Sequence, residues 1–476
     1  MRELAIVLLV VFAAGPVSAQ PASPPNIVLI LIDDLGWRDI GVAGSTFYET
    51  PNIDRLASEG ARFTRFYTAS PVCSPTRSSI QTGRNPARLH ITNWIGGEER
   101  GRLLQEADYR RALPLDETTL AEALAPAGYT SGYIGKWHLG VPPAMPRDQG
   151  YAVTVAVNHA GQPGAYFPPY GKEGTPTKVP DLDEDPPGTY LTDRLTDEAV
   201  TFIEAQRKGP FFLMLAHYTV HTPLQAQPEL TEKYKARVSA LPPLDGPAFR
   251  SEGSGAQTRQ RQDHAVYAAM VEAMDRSVGR VLDTLARLDL TRNTIVVFMS
   301  DNGGLSTVQN STSGPTSNLP LRAGKGWLYE GGIRAPFIVR WPGRVKAGST
   351  IDTPGITDDV LPTLVEMAGV TRAGGRELDG VSLAPLFEGR TIAPRPLFWH
   401  FPHYHGSGHT PAGAVRSGQY KLIEWFEDGR TELYDLQADE GERHDLAGTM
   451  PEKAKELRAM LQSWRTRVGA GMPERQ

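Results

Sequence analysis

The feature that most limits how this chain can fold is one short stretch, Asn26–Ile32 (NIVLILI), apolar without alternation and rich in β-branched side chains. A strand with one wet face alternates apolar and polar residues. A strand without polar positions must be covered on both faces, as in a parallel sheet flanked by helices. Phe211–Ala216, Ile295–Met299 and Phe337–Trp341 repeat the pattern, and Thr130–Ile134 is a shorter version. Helical patterns lie between them. Thr50 can cap a helix with Pro51 in its first turn, Ile53, Leu56 and Ala57 on one face and Gly60 at its exit. Thr119–Ala127 fits another, and Asp263–Leu288 a long one with Val266, Met270, Met274, Val278, Val281 and Leu285 in a stripe. The alternation predicts an α/β fold: a large domain with a mostly parallel central sheet and helices on both faces.

The pattern changes near residue 390. Val415–Arg416, Tyr420–Trp425 and Thr431–Leu436 read as short strands, joined by turns at Ser417-Gly418 and Asp428-Gly429, before a closing helix at Glu452–Arg467. A large domain over 24–390 and a smaller C-terminal α+β domain with an antiparallel sheet over 391–476 are expected. The stretches 141–190, 222–262 and 302–325 read as long loops, which in compact domains usually serve function.

At the start, Arg2 precedes an apolar run from Leu4 to Ala14, then Gly15-Pro16 and small residues before Gln20. The run falls short of the ~20 residues that span a bilayer. Residues 1–19 read as a secretory signal peptide. This implies a secreted protein: periplasmic or extracellular if bacterial, lysosomal or extracellular if eukaryotic. No later stretch reads as a membrane span. Net charge is −5, which gives no general attraction for nucleic acid, so pull on an anionic substrate must be built locally. Cys73 is the only cysteine, so no internal disulfide can form, and a lone exported thiol is either buried or chemically used.

Asp33-Asp34 follows the first strand, and Ser300-Asp301-Asn302-Gly303-Gly304 follows Ile295–Met299. Ligand sites of α/β sheets lie beyond such strand ends. Each pair alone could be a turn or a helix cap. Together they bring three carboxylates and an amide, an all-oxygen set that suits Ca²⁺ or Mg²⁺, with Ca²⁺ preferred for an irregular site. Adjacent strand residues face opposite ways, so both aspartates reach one ion only if the strand ends near Ile32 and the chain turns. Cys73 opens Cys-Ser-Pro-Thr-Arg-Ser-Ser-Ile-Gln-Thr-Gly-Arg. Ser74 can cap a helix there, with Pro75 first and Gly83 at the exit, which puts Cys73 at an anion-attracting helix N-terminus with Arg77 one turn along.

Cys73-x-Pro75-x-Arg77 with Thr82-Gly83-Arg84 resembles the type I, formylglycine-dependent sulfatase signature of the alkaline phosphatase superfamily. Gly135-Lys136-Trp137-His138-Leu139-Gly140, Val220-His221-Thr222-Pro223, Gly324-Lys325-Gly326 and Tyr329-Glu330-Gly331-Gly332 resemble further blocks of that family, in its order. The likeness runs from about Asn26 to Gly343, and more loosely beyond. It implies one Ca²⁺ held by Asp33, Asp34, Asp301 and Asn302 and touching residue 73. It also implies conversion of Cys73 to formylglycine (3-oxoalanine) by a formylglycine-generating maturation enzyme. One hydroxyl of the aldehyde hydrate would attack sulfur, and the other would drive sulfate release. By the same likeness Arg77 stabilises the hydrate, Lys136 and Lys325 bind sulfate oxygens, and His138 takes the releasing proton. His221 with Lys325 protonates the leaving alcohol. The implied substrate is an aryl sulfate or a sulfated carbohydrate, with arylsulfatase-A-like and N-acetylgalactosamine-6-sulfatase-like members resembled most.

A phosphomonoester or phosphodiester hydrolase of the same superfamily is the alternative enzyme, and a non-catalytic binder of sulfated glycans the alternative from another class. His217, four residues before His221, shares its face on a strand and reads as a supporting residue. The histidine-rich Trp399–His405 segment with His409 could wall the substrate pocket, pack as a loop or bind zinc. Asn158-His159, Tyr166 and Tyr170 have no readable role. Asn310-Ser311-Thr312 is a glycosylation sequon.

Overall fold

A computed structural model describes residues 24–97, 103–253, 255–308, 314–371 and 376–475. The leader read at 1–19 and the sequon at Asn310 lie outside them. An eight-stranded sheet forms the centre, in the order Ser349–Ile351, Ala61–Phe63, Phe337–Arg340, Thr294–Ser300, Asn26–Ile32, Phe211–Ala216, Thr130–Gly135 and Val153–Val155. All neighbours are parallel except Phe337–Arg340, which runs against both of its partners. The unbroken apolar run of the first strand has the expected consequence. Val28, Ile30 and Ile32 enter one core, with the helices Leu191–Gln206 and Ala265–Arg287; Ile27, Leu29 and Leu31 enter another on the opposite face.

Several elements differ from expectation. Leu191–Gln206 forms a 16-residue helix that the sequence reading left out. The presumed loop 222–262 holds a helix, Pro228–Ser239, and a hairpin, Phe249–Gly253 with Ala256–Arg259. Pro228 at the first helical position was the available signal. Thr119 caps its helix through a capping box with Glu122, but the α-helix is only Leu120–Leu124 before a 3₁₀ turn at Ala125–Ala127.

Leu397–Phe401, Ala412–Ser417, Tyr420–Trp425 and Thr431–Asp435 make a four-stranded antiparallel sheet. The helix Pro451–Val468 covers one face of it through Leu457, Leu461 and Trp464. The other face packs Trp399, Phe401 and Ile423 against Tyr67, Trp327 and Tyr329 of the large part. No described helix is long and apolar enough to cross a membrane.

A buried ionic cluster ties the two parts together. Lys421, fully enclosed, lies 3.1 Å from Glu330 Oε1 and 2.8 Å from Glu442 Oε1, and Tyr67 donates its hydroxyl to Glu330 Oε2 at 2.8 Å. Removing one member of such a cluster strands the others in a medium that cannot solvate them. Lys421→Met is therefore expected to destabilise the fold by about 3–5 kcal/mol, read from the denaturant midpoint. A loss below about 1 kcal/mol would mean that the two carboxylates need no ammonium.

Candidate active site

Four adjacent parallel strands end at one level. Ile32 is in register with Ser300, and Leu31 and Gly135 both with Ala216. The residues that follow, Asp301, Asp33, His217 and Lys136, therefore emerge side by side at the carboxyl edge. Backbone bonds hold the edge together: Asp301 N–H to Ile32 O at 3.1 Å, His217 N–H to Leu31 O at 2.9 Å, and Lys136 N–H to Ala216 O at 2.8 Å. Gly135 has φ +100°, and a Cβ there would lie 2.0 Å from Ala216 O, so no other residue fits. The first strand stops at Ile32, as two aspartates at one site require. Asp34 then takes φ +62°, which turns its carboxylate back toward that of Asp33.

Lys136 Nζ lies 2.6 Å from Asp33 Oδ2, with both side chains fully buried. Lys325 Nζ lies 2.9 Å from Asp34 Oδ2 and 3.1 Å from His221 Nε2. Asn302 donates to Asp34 Oδ1 at 2.8 Å. Burial, joined by the charges of Asp301 and Asp34, pushes the Asp33 carboxyl up to about 8 despite Lys136. Burial also acts on Asp34, but Lys325, joined by Lys136, outweighs it and holds that carboxyl below the usual range. Burial and then Lys325 push the His221 imidazole down to about 3, and burial and then Lys136 push His138 well below its ordinary value. Both rings are neutral. Nε2 of His221 then accepts from Lys325, while Nδ1 faces Thr222 O at 2.9 Å.

Cys73 is the first residue of the helix Cys73–Thr82, and Val72 takes the cap position instead of Ser74. The Ser74 hydroxyl accepts from the Ile95 N–H at 3.1 Å, which leaves it no role as a cap. The Cys73 Sγ lies 3.7 Å from Asp33 Oδ1. Burial pushes the thiol up to about 12 even with Lys136 and Lys325 nearby. An unaltered Cys73 is thus protonated and a poor nucleophile.

Arg77, expected to stabilise the hydrate of residue 73, is anchored by Asp301 and the Lys136 backbone. Its Nε and Nη2 lie 2.9 and 2.8 Å from Asp301 Oδ2, and its Nη1 donates to Lys136 O at 2.7 Å. A guanidinium only 1% exposed needs such acceptors. Asp301 is correspondingly committed: Oδ2 to Arg77, and Oδ1 to the Asp34 N–H at 3.2 Å.

Asp33, Asp34, Cys73 and His221 present ligand atoms all within 4.8 Å of one another. Asn302 Oδ1, bonded through its amide nitrogen to Asp34, is itself buried without a hydrogen-bond partner. An orphaned carbonyl-type oxygen among crowded buried carboxylates fits a hard divalent cation. Of the expected ligands, Asp33 and Asp34 belong to this group, Asn302 is bonded to Asp34, and Asp301 is paired with Arg77.

Above the site a cavity of about 840 Å³ is floored by Asp34, Cys73, His138, His221 and Lys325 and walled by Trp94, Gln162, Leu305, Tyr404 and His405, among others. Trp94 and Gln162 carry no motif and were missed. The histidine-rich segment divides. Tyr404 and His405 line the cavity, His403 contacts Thr92 Oγ1 and Glu106, His400 contacts Gly471 O, and the His409 ring packs among Phe401, Trp327 and Trp425. His217 lies below the site, 2.9 Å from Ser277 Oγ. Tyr166 has a visible role: its hydroxyl donates to Tyr218 O at 2.6 Å and His221 O at 2.9 Å, fixing the backbone that carries His221.

Residues 25–370 match the family described as Sulfatase, and 323–467 match one described as N-sulphoglucosamine sulphohydrolase, C-terminal. The chain is 34% identical to N-acetylgalactosamine-6-sulfatase of Mus musculus over 435 residues, 88% of this chain and 75% of that protein. It is 32% identical to arylsulfatase A of Homo sapiens over 511 aligned positions, 95% of this chain and 89% of that protein. The crystal structure of Ps i-CgsB in complex with k-i-k-neocarrahexaose superposes with a TM-score of 0.75 at 30% identity, covering 93% of each chain.

Proposed function

The chain belongs to the sulfatase family, enzymes that hydrolyse sulfate esters, and from that premise we propose that it removes sulfate, in exo fashion, from a sulfated carbohydrate. We further propose that it does so with formylglycine made from Cys73 and one Ca²⁺. The observation that carries this reading is the meeting of Lys136, Lys325 and an orphaned Asn302 oxygen around the Asp33–Asp34 pair, beside Cys73 in the cavity floor. A sulfate monoester is anionic and unreactive, so a site that hydrolyses it must supply positive charge and a strong nucleophile. The formylglycine hydrate supplies two hydroxyls on one carbon, one to take the sulfuryl group and one to release it. Asp33, Asp34, Asp301 and Asn302 would hold the ion, which would supply positive charge beside the reacting oxygens.

The remaining roles belong to the chain itself. Lys136 and Lys325 act as point charges for sulfate oxygens. Neutral His138 is a base, able to accept the proton whose loss frees sulfate. The proton for the leaving alcohol rests on Lys325, with His221 Nε2 bonded to it, so the two act as one acid. Arg77 positions Asp301 and the Lys136 backbone. The relatives' names point to carbohydrate: one carries N-acetylgalactosamine in its name, and another is solved with a neocarrahexaose. We place the boundary of the catalytic part near residue 390 and assign residues 1–19 to export.

Sulfate release from defined sulfated mono- and oligosaccharides, beside aryl sulfate and aryl phosphate with and without chelator, tests the reading. Faster turnover of the phosphate would favour the phosphatase alternative. For the acid, His221→Ala is expected to cost about 10²–10⁴ in turnover on a sugar sulfate. The cost should be much smaller on an activated aryl sulfate, whose phenol leaves without help. Equal losses would remove His221 from that role.

A further inference from the structure

Away from the active site, a cleft of about 730 Å³ separates the large part from the antiparallel sheet. Arg65, Arg395 and Arg416 line it, and among the described residues no aspartate or glutamate does. Asp359 offsets Arg395, which leaves Arg65 and Arg416 as cations without a direct carboxylate partner among the described residues, in a chain of net charge −5. None of the three is fully spent. Arg395 pairs with Asp359 through Nη2, while its Nε is buried without an acceptor. Arg416, 4% exposed, gives Nη1 to the Tyr67 hydroxyl at 3.0 Å, and its Nε is likewise unsatisfied. Its neighbours Lys421 and Arg334 pair directly with carboxylates, but Arg416 reaches Glu330 only through Tyr67. The Arg65 guanidinium makes no hydrogen bond or ion pair among the described residues. Asp352 and Asp435, next along the chain from lining residues, accept from Thr64 and Gln419.

Buried cations ordinarily find an anion, and unsatisfied N–H groups an acceptor. Arginine forks match tetrahedral oxyanions particularly well. The rest of the wall is small and polar or apolar, with Ser417 and Gln437 beside Pro394 and Pro396. The cleft has the volume of a small-ligand site, and it shares no residue with the catalytic cavity.

We propose that this cleft is a second sulfate-binding site, which holds a sulfate ester of the glycan chain while the terminal sulfate is processed at residue 73. The proposal rests on the sulfated-glycan reading above. Two anchored points on one chain raise the effective concentration of the reacting end. Long substrates gain from it, and a small aryl sulfate does not.

The test compares wild type, Arg65→Ala and Ser417→Glu, the last placing a carboxylate in the cleft without removing a side-chain contact. Aryl sulfate turnover is expected to stay unchanged in all three, which separates this question from whether the enzyme is a sulfatase at all. Affinity is then measured in a Cys73→Ala background, where nothing turns over, for a sulfated galactan decasaccharide, the matching sulfated monosaccharide and an unsulfated oligogalacturonide. Arg65→Ala and Ser417→Glu should each weaken the decasaccharide about tenfold or more and leave the monosaccharide as it was. Equal decasaccharide affinity across the three chains, or no decasaccharide binding at all, overturns the proposal. Equal weakening of the oligogalacturonide overturns the assignment to sulfate.

Discussion

Active preparations of this protein are expected to contain no free thiol at residue 73. Burial pushes the Cys73 thiol up, so as cysteine it has neither the charge nor the second hydroxyl that the proposed mechanism requires. Conversion to formylglycine replaces CH₂SH by CHO, so the peptide carrying residue 73 should be lighter by about 18 Da and should react with hydrazides. Co-expression with a formylglycine-generating enzyme should raise specific activity in a host that converts poorly. Cys73→Ala should fold, because a fully packed helix loses one sulfur atom at a cost of about 1 kcal/mol. Its activity should nevertheless fall by about 10⁴-fold or more, as for removal of other nucleophiles. Cys73→Ser keeps one hydroxyl and should at best be sulfated once and stall. An unmodified thiol in material turning over at full rate would falsify the mechanism.

The second large effect concerns the ion. Stripping Ca²⁺ with chelator should abolish nearly all activity, and adding Ca²⁺ back should restore it. Asp34→Ala removes the carboxylate that Asn302 and Lys325 both address, and should lose the ion and nearly all turnover. Asp301→Ala should do the same and more. It also strands the buried Arg77 guanidinium, so an added loss of about 3–5 kcal/mol in folding stability is expected. Metal content and melting temperature, measured beside activity, separate the two. Asp34→Ala should lower metal content with the smaller change in melting, whereas Asp301→Ala should lower both. Full activity in metal-free wild type would rule the site out.

Local patterns were legible wherever one residue type admits one backbone or one environment. The uninterrupted apolar run before Asp33 could only be a doubly covered strand, and the paired aspartates behind it demanded a turn, met by φ +62° at Asp34. The motif order carried Cys73, His138, His221 and Lys325 to one cavity, and Lys136 to a buried pair with Asp33. Sequence spacing was weaker where polar surface masks an apolar face. Spacing alone does not announce the helix Leu191–Gln206, and the stretch that forms the helix Pro228–Ser239 reads as loop. The cap at Val72 was missed because a serine beside a proline is a strong local signal, and it lost to the bond that Ser74 makes with Ile95, a residue from another segment.

By itself the sequence determined the layered α/β architecture and the strand ends that carry chemistry, which follow from periodicity, while the charged residues around Cys73 came through the resemblance of the motif blocks to the sulfatase family. Only the tertiary structure decided what each group is committed to. It tied Arg77 to Asp301, and left the Asn302 oxygen without a partner among the described residues. It also set Trp94, Tyr404 and His405, from distant segments, into one pocket wall, and drew Arg65, Arg395 and Arg416 around a cleft without a carboxylate. The physical reason is that hydrogen bonds and charge pairs are satisfied between residues hundreds of positions apart, where burial decides which partner each polar atom must find.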